Sequence, residues 1–466
     1  MADPTPDPTP DRTPDRTPDR TNRPTAGPTN RPTTDPATVP RTGPTGPATG
    51  PTTAPVQVPD PRAELAALAA WQLPLRAQFP IVAGADGGAG APTGVPGPAY
   101  LDSAATAQKP RAVLDAVHAY LTTSNANSGR GSYPWANATT ALVAATRDRV
   151  KRFLGDPDPE RSTVHFTSGA SEGLRTVARD WLPDLLADGD EIVVPYGDHR
   201  ANLVPWQEAR DLLARQGVRI TVHELPCQAG SGDYDPAALG RIVGPRTRFV
   251  AATHVHHVYG ADMNVHRIRE AVGPDVVICL DAAQSVGHQP VSLAGLDVDF
   301  LVFSGHKALA LPGTGAVWAR GRRGPAFRPG GWPGTPNTAG IASLAAALDW
   351  LADADVGRIS RWTTALTAVL TDGLSRLPAY EVLGCTTSLA ADSPVQRRGS
   401  IATFRHHGIG SQDLGFVLFS EGFMVRSDDH CQAGRSVREG SVRVSLHVYN
   451  TLEEVEKLLE SLAKLQ

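Results

Sequence analysis

Beyond Tyr100 the chain alternates between two hydrophobic periods. Short apolar runs of strand length occupy Thr163–Thr167, Glu191–Pro195, Arg248–Thr253, Val276–Leu280 and Asp299–Phe303. Longer stretches with apolar residues at helical spacing lie between most of them: Ala138–Leu154, Ser171–Leu186, Leu203–Gln216 and Val265–Ala271. Apolar strands separated by helices predict a mostly parallel, helix-covered sheet. After Asn337 the order changes. Helices at Gly340–Ala352 and Ile359–Leu374 precede strands at Gly399–Arg405 and Val442–Leu446 and a last helix at Leu452–Leu465. The expected class is α/β: a large domain with a mostly parallel sheet, and a smaller α+β C-terminal domain.

The pattern is missing at the N-terminus. Residues 1–60 are rich in Pro, Thr, Asp and Arg, and Thr-Pro-Asp-Arg recurs between Thr9 and Arg20. Such a stretch buries too little apolar surface to offset its ordering entropy, so it reads as a disordered, partly polyproline tail. Order is expected from Pro61, beginning with a helical run at Arg62–Gln72. Residues 61–110 are expected to pack on the small domain, with a Gly/Ala/Pro-rich flexible loop at Ala83–Pro98. Residues 111–335 then form the large domain and 336–466 the small one, a division that suits 466 residues.

Composition narrows the partners. A formal charge of -4 gives no basic field for nucleic acid. No apolar run is long enough to cross a bilayer, and the first residues lack a signal-peptide core. These features predict a protein of the cytoplasm, away from membranes. The four cysteines, Cys227, Cys279, Cys385 and Cys431, form no CxxC pair, so neither a metal site nor a disulfide framework is expected.

Four predicted strands run directly into polar clusters, and open α/β sheets bind ligands beyond the carboxyl ends of their strands. Thr167–Gly173 joins a strand to a helix through small residues, a cradle for an anion at Ala170 and Ser171; the plain alternative is a capped glycine turn. Asp198–Asn202 places His199 where it would stack on a ring or move protons, or simply face solvent. Asp281, after Val276–Leu280, would pair with a pyridine nitrogen or cap a helix. Lys307, in Ser304-Gly305-His306-Lys307, would become a nucleophile for an aldehyde if held dry; most lysines are solvated. Together the four supply what pyridoxal 5'-phosphate (PLP) requires.

The ordered set resembles the cysteine desulfurase branch of the fold-type I PLP enzymes, in the class V aminotransferase superfamily, and looks closest to its SUF-system group. The likeness runs from Gln78 to the C-terminus. It rests on Tyr100–Ala105 with Gln108-Lys109-Pro110, Gly169–Gly173, His199 with Ala201–Trp206, Thr253-His254-Val255, Asp281 with Gln284, Ser304–Lys307, Gly334–Thr338, and Arg443 with Tyr449-Asn450-Thr451. The resemblance implies that Lys307 is the Schiff-base lysine, Asp281 contacts the pyridine nitrogen, His199 stacks on the ring and Gln284 bonds the ring oxygen. It further implies that Ser171, Ser304 and His306 bind phosphate, with Ala170 at the same helix start. Arg443 would grip the substrate carboxylate, and Cys431 would be the nucleophile that takes sulfur from L-cysteine or an analogue and leaves alanine. Arg426 or His430 would favour its thiolate. The other cysteines are read as structural. A homodimer and a sulfur-acceptor protein are implied in the same way.

The chain departs from the family pattern in four places. His257 stands where an Asn that touches cofactor and substrate is usual, which makes it a candidate substrate-binding residue. Histidines usual near Arg130 are missing, with Tyr133 as a candidate replacement. The stretch from Arg320 to Gly334 is short, leaving Arg322, Arg323 and Arg328 as phosphate ligands or surface charge. The Cys431 segment is also short, and Asp428-Asp429 is more acidic than usual, a pair expected to disfavour a thiolate. The alternative activity is another PLP reaction of the superfamily, as a lyase, epimerase or aminotransferase, with Cys431 a bystander.

Overall fold

The computed structural model describes residues 60–83, 98–129, 131–227, 233–321, 335–384, 398–435 and 437–466. The expectations for residues 1–59, for most of the loop after Ala83, and for Arg130, Arg322, Arg323, Arg328, Gly334 and Cys385 lie outside these. The first helix, Pro61–Arg76, begins at Asp60, whose carboxylate accepts from Arg62 N. Pro61 fits there because the first turn has no use for its missing N–H.

A short strand, β1 (Ala99–Tyr100), precedes the large sheet. That sheet contains β2 (Thr163–Thr167), β3 (Glu191–Val194), β4 (Thr221–Glu224), β5 (Thr247–Thr253), β6 (Val277–Asp281), β7 (Phe300–Ser304) and β8 (Gly315–Ala319), in the order β2-β8-β7-β6-β5-β3-β4. Only β8 opposes its neighbours; the other pairs are parallel. Side chains alternate between two apolar layers, as strand geometry dictates. Val193, Val250 and Ile278 face a core shared with Val113, Val143 and Val150 of the helices Arg111–Thr123 and Pro134–Phe153. Ile192, Phe249 and Cys279 face Leu174 and Trp206 of the helices Ala170–Asp180 and Val204–Arg215. Cys279 is thus a core residue.

Gly173 lets the first of those helices sit on β7, because a Cβ there would come within 2.4 Å of Val302 Cγ1. The single helix expected over Ser171–Leu186 breaks after Asp180 and resumes as Leu182–Leu185. Pro183 explains the break, since its ring and missing N–H stop a helix from running through it.

The second sheet is antiparallel, in the order β12-β13-β10-β9. Its strands are β9 (Tyr380–Val382), β10 (Ile401–His406), β12 (Arg426–Asp428) and β13 (Ser441–Ser445), while β11 (Phe423–Met424) pairs with β1 instead. Helices Val356–Ser375 and Leu452–Ala463 cover it, and Leu65 and Leu68 of the first helix share its core. The helix Thr338–Ala354 lies past the division expected at residue 335, yet its Ile341, Leu344 and Leu351 belong to the core of the large sheet. In β12 and β13, Arg426 lies directly opposite Arg443.

Candidate active site

A cavity of about 230 Å³ opens at the carboxyl ends of β5, β6 and β7. Ten of the eleven residues expected at the site line it: Ala170, Ser171, His199, His257, Asp281, Gln284, Ser304, His306, Lys307 and Arg443. Cys431 is the exception. Strand ends explain the gathering, since parallel strands deliver their following loops to one edge.

Lys307 follows Ser304, the last residue of β7. Burial pushes its amine down to about 8, Arg443 adds to the fall, and Asp281 opposes it. Asp281 ends β6 and is buried; its Oδ1 accepts from Ala283 N at 2.9 Å. Burial pushes this carboxyl up to about 6, against the pull of the Ala283 amide and Lys307. A cationic ring nitrogen would stabilise its ionised form.

Ser304 Oγ accepts from Ala170 N at 2.9 Å, tying the helix that starts at Ala170 to the end of β7. The start of this helix presents backbone N–H groups and the positive end of its dipole toward the cavity. Burial, Lys307 and Lys109 push the His306 imidazole down to about 4, so at neutral pH it offers hydrogen bonds rather than charge.

His199 opens a short turn, Arg200–Asn202, and its Nδ1 accepts from Ala201 N at 3.1 Å. Burial, then Lys307 and Arg426, hold it down at about 4. Its ring meets His257 edge-on, with centroids 5.1 Å apart. His257 is buried, and neither ring nitrogen has a hydrogen-bond partner among the described residues. Burial, His256, His199, Arg443 and Lys307 all keep it neutral. Behind it, His256 stacks on Tyr259 at 4.3 Å and lies 3.6 Å from Asp198, which accepts from the Tyr234 hydroxyl at 2.6 Å.

Arg443 is buried in β13. Its Nη1 donates to the His257 carbonyl at 3.0 Å and its Nη2 to Asp102 at 3.1 Å. Asp102 was not singled out from sequence, although it sits inside the Tyr100–Ala105 motif. Tyr133, the candidate substitute for a missing histidine, is half exposed before the helix Pro134–Phe153 and does not line the cavity.

Cys431 stands at the rim. Arg426, which lines the cavity, donates from Nη2 to its Sγ at 3.3 Å. Asp428 and Asp429, the acids expected to disfavour the thiolate, both have cationic partners. Asp428 takes a bidentate pair of bonds from Arg426 Nε at 2.8 and 3.0 Å, and Asp429 pairs with Arg200 at 2.5 Å. Each acid is neutralised by a guanidinium.

The arrangement fits PLP. The first turn of the helix that starts at Ala170, with the Ser171 hydroxyl, suits a phosphate, Asp281 a ring nitrogen and Lys307 an aldehyde. Gln284 Oε1, Arg443 Nε and both His257 nitrogens are buried without hydrogen-bond partners among the described residues, so each is free to bond a polar group that enters the cavity.

Known proteins point the same way. The chain is similar to a probable cysteine desulfurase of Vibrio cholerae, 31% identical over 78% of this chain and 93% of that protein. It is 31% identical to the cysteine desulfurase CsdA of Escherichia coli, over 78% of this chain and 92% of that one. Its fold matches the apo structure of a cysteine desulfurase from Thermococcus onnurineus with a TM-score of 0.69 and 27% identity, covering 79% of this chain and 94% of that one. The family described as Aminotransferase class-V, whose members use pyridoxal phosphate, matches residues 99–458. Its matched region contains every residue of the cavity just described, and the chain belongs to the class V aminotransferase family.

Proposed function

We propose that the protein is a PLP-dependent cysteine desulfurase that moves the sulfur of L-cysteine, or of a close analogue, onto Cys431 and releases alanine. The contact that carries this reading is Arg426 Nη2 to Cys431 Sγ, which joins the only rim thiol among the described residues to a cavity-lining cation.

Bound in the cavity, PLP supplies an electron sink that weakens the bonds at an amino acid's Cα. The chain supplies the rest. Arg443 holds the substrate carboxylate, a task suited to a planar guanidinium. His257, with two free nitrogens beside it, completes that clamp. Lys307 holds the cofactor and then, with an amine pushed down to about 8, takes the Cα proton and returns one. Asp281 would hold charge on the ring nitrogen, His199 would pack on the ring, and the second N–H of Gln284 Nε2, whose first donates to the Ala104 carbonyl at 3.0 Å, would donate to the ring oxygen. Ser171, Ser304 and His306, with the helix start at Ala170, would hold the phosphate. The Cys431 thiolate attacks the substrate sulfur; the S–S bond forms as the C–S bond breaks. One thiol and one cysteine become one persulfide and one alanine, so atoms and electrons balance.

The persulfide then passes to an acceptor protein. A homodimer acting in the cytoplasm belongs to the same reading, supported by the family; no helix among the described residues is long and apolar enough to cross a membrane. The test is incubation with L-cysteine, followed by product analysis and mass mapping of Cys431. Alanine and a persulfide on Cys431 support the reading. Pyruvate and ammonia in place of alanine, or alanine release at the wild-type rate by Cys431→Ala, would overturn it.

A further inference from the structure

The double acid before Cys431 is the sequence feature least explained by the reaction. Its geometry is specific. Asp428 Oδ1 accepts from His430 N at 2.6 Å, and Asp429 Oδ1 accepts from Cys431 N at 2.9 Å. These are two overlapping Asx turns, in which a carboxylate bonds the amide two residues on. They hold His430 and Cys431 in consecutive left-handed conformations, with φ of 53° and 59°. That region is uncommon for residues with side chains, although His enters it more readily than most, and two in a row are held by the turns around them.

The outer face of the turn is fastened as well. Arg200 N donates to the Cys431 carbonyl at 3.0 Å, Gln432 Nε2 to the Gly197 carbonyl at 2.7 Å, and Ala433 N to the Asp198 carbonyl at 2.9 Å. The segment around Cys431 therefore lies along the loop that carries His199. The Arg200 side chain closes the arrangement, reaching Asp429 at 2.5 Å and the Arg435 carbonyl at 3.3 Å.

We propose that Asp428 and Asp429 form a mount that fixes the Cys431 thiol beside Arg426, with the Arg200–Asp429 pair as its latch to the His199 loop. Arg200 and Asp429 are positioning residues, since neither lines the cavity. The proposal rests on the reading of Cys431 as the sulfur-accepting thiol.

The charged and titratable groups around the thiol are Arg426, Asp428, Asp429, His430, Arg200 and Arg435, together with His199 on the neighbouring loop, and they set the signs of the test. In the holoenzyme, the rate of Cys431 alkylation by iodoacetamide is followed against pH, with mass mapping to separate it from Cys227, Cys279 and Cys385. Arg200→Ala leaves Asp429 as a bare negative charge near the thiol, so the profile moves to higher pH. Asp429→Asn keeps an oxygen for the Asx bond and removes the charge, so the profile moves to lower pH. Arg200→Ala combined with Asp429→Asn returns it toward wild type. First-turnover persulfide formation falls about two- to five-fold in Arg200→Ala, the scale of a partly exposed ion pair, while the cofactor's visible spectrum is unchanged.

Asp429→Ala, which loses the Asx bond, slows persulfide formation more than Asp429→Asn does. Profiles that do not move, that move the same way in Arg200→Ala and Asp429→Asn, or that fail to return in the double variant overturn the latch. Equal persulfide rates in Asp429→Ala and Asp429→Asn overturn the mount. Failure of the desulfurase reading shows separately, as wild-type alanine release by Cys431→Ala.

Discussion

The floor of the cavity and its cysteine rim are built in opposite ways. Asp281 and Ser304 are the last residues of strands that are buried along their whole length, and Lys307 follows three positions later. Sheet hydrogen bonds and apolar packing on both faces set their places. Cys431 ends no strand. Ion pairs and side-chain-to-backbone bonds in a partly exposed loop set its place. The floor moves only if the core moves, whereas the rim yields to single polar substitutions. On the proposed reading, cofactor binding would be the conservative half of the site and the fate of the substrate's sulfur the adjustable half.

The strongest test of that contrast is Lys307→Ala. It should abolish the visible absorption of the lysine-bound cofactor and lower turnover by about 10³-fold or more. Thermal unfolding should scarcely change, because the lysine lines the cavity rather than filling the core. A large loss of stability would mean that floor chemistry and floor architecture are not separable.

Arg443→Gln should come next. Losing a buried guanidinium opposite a carboxylate should raise KM for cysteine on the order of 100-fold, read from initial rates. An unchanged KM would remove Arg443 from the carboxylate clamp.

The pH dependence of cofactor uptake sharpens the same comparison. Only the neutral amine attacks an aldehyde, and burial lowers the Lys307 amine to about 8. The uptake rate of the apo-protein should therefore rise as pH climbs through about 8 and level off above it, followed by absorbance. A rise that continues toward the ordinary lysine range would mean that the site does not desolvate this amine. The smallest effect is expected from His257→Asn, a shift in KM of about two- to ten-fold, the scale of one or two hydrogen bonds.

Most of the floor was legible in the sequence, for a physical reason. Buried parallel strands are apolar runs, and the polar residue that ends such a run is conspicuous. Asp281, Ser304 and Lys307 were visible that way, and their strands were placed within a residue. Two strands of the large sheet were not visible. Edge strand β4, Thr-Val-His-Glu, is nowhere fully buried, so no apolar run marks it. Strand β8, Gly-Ala-Val-Trp-Ala, is buried throughout but holds one β-branched residue. The rim was legible only in part. Cys431 and its neighbouring acids stood out, but the partner of Asp429 did not. That partner, Arg200, is more than two hundred positions away in sequence and is brought to Asp429 by the fold.

Arg426 and Arg443 sit opposite one another on adjacent antiparallel strands, the arrangement in which like charges repel most directly. Asp428 and Asp102 offset this from either side. A carboxylate bound at Arg443 would do so from within. Occupancy and folding are then thermodynamically linked: any small carboxylate that reaches this pair favours the folded state by mass action. The amount of intact protein would follow the supply of its amino-acid ligand, a form of substrate sensing that requires no second site.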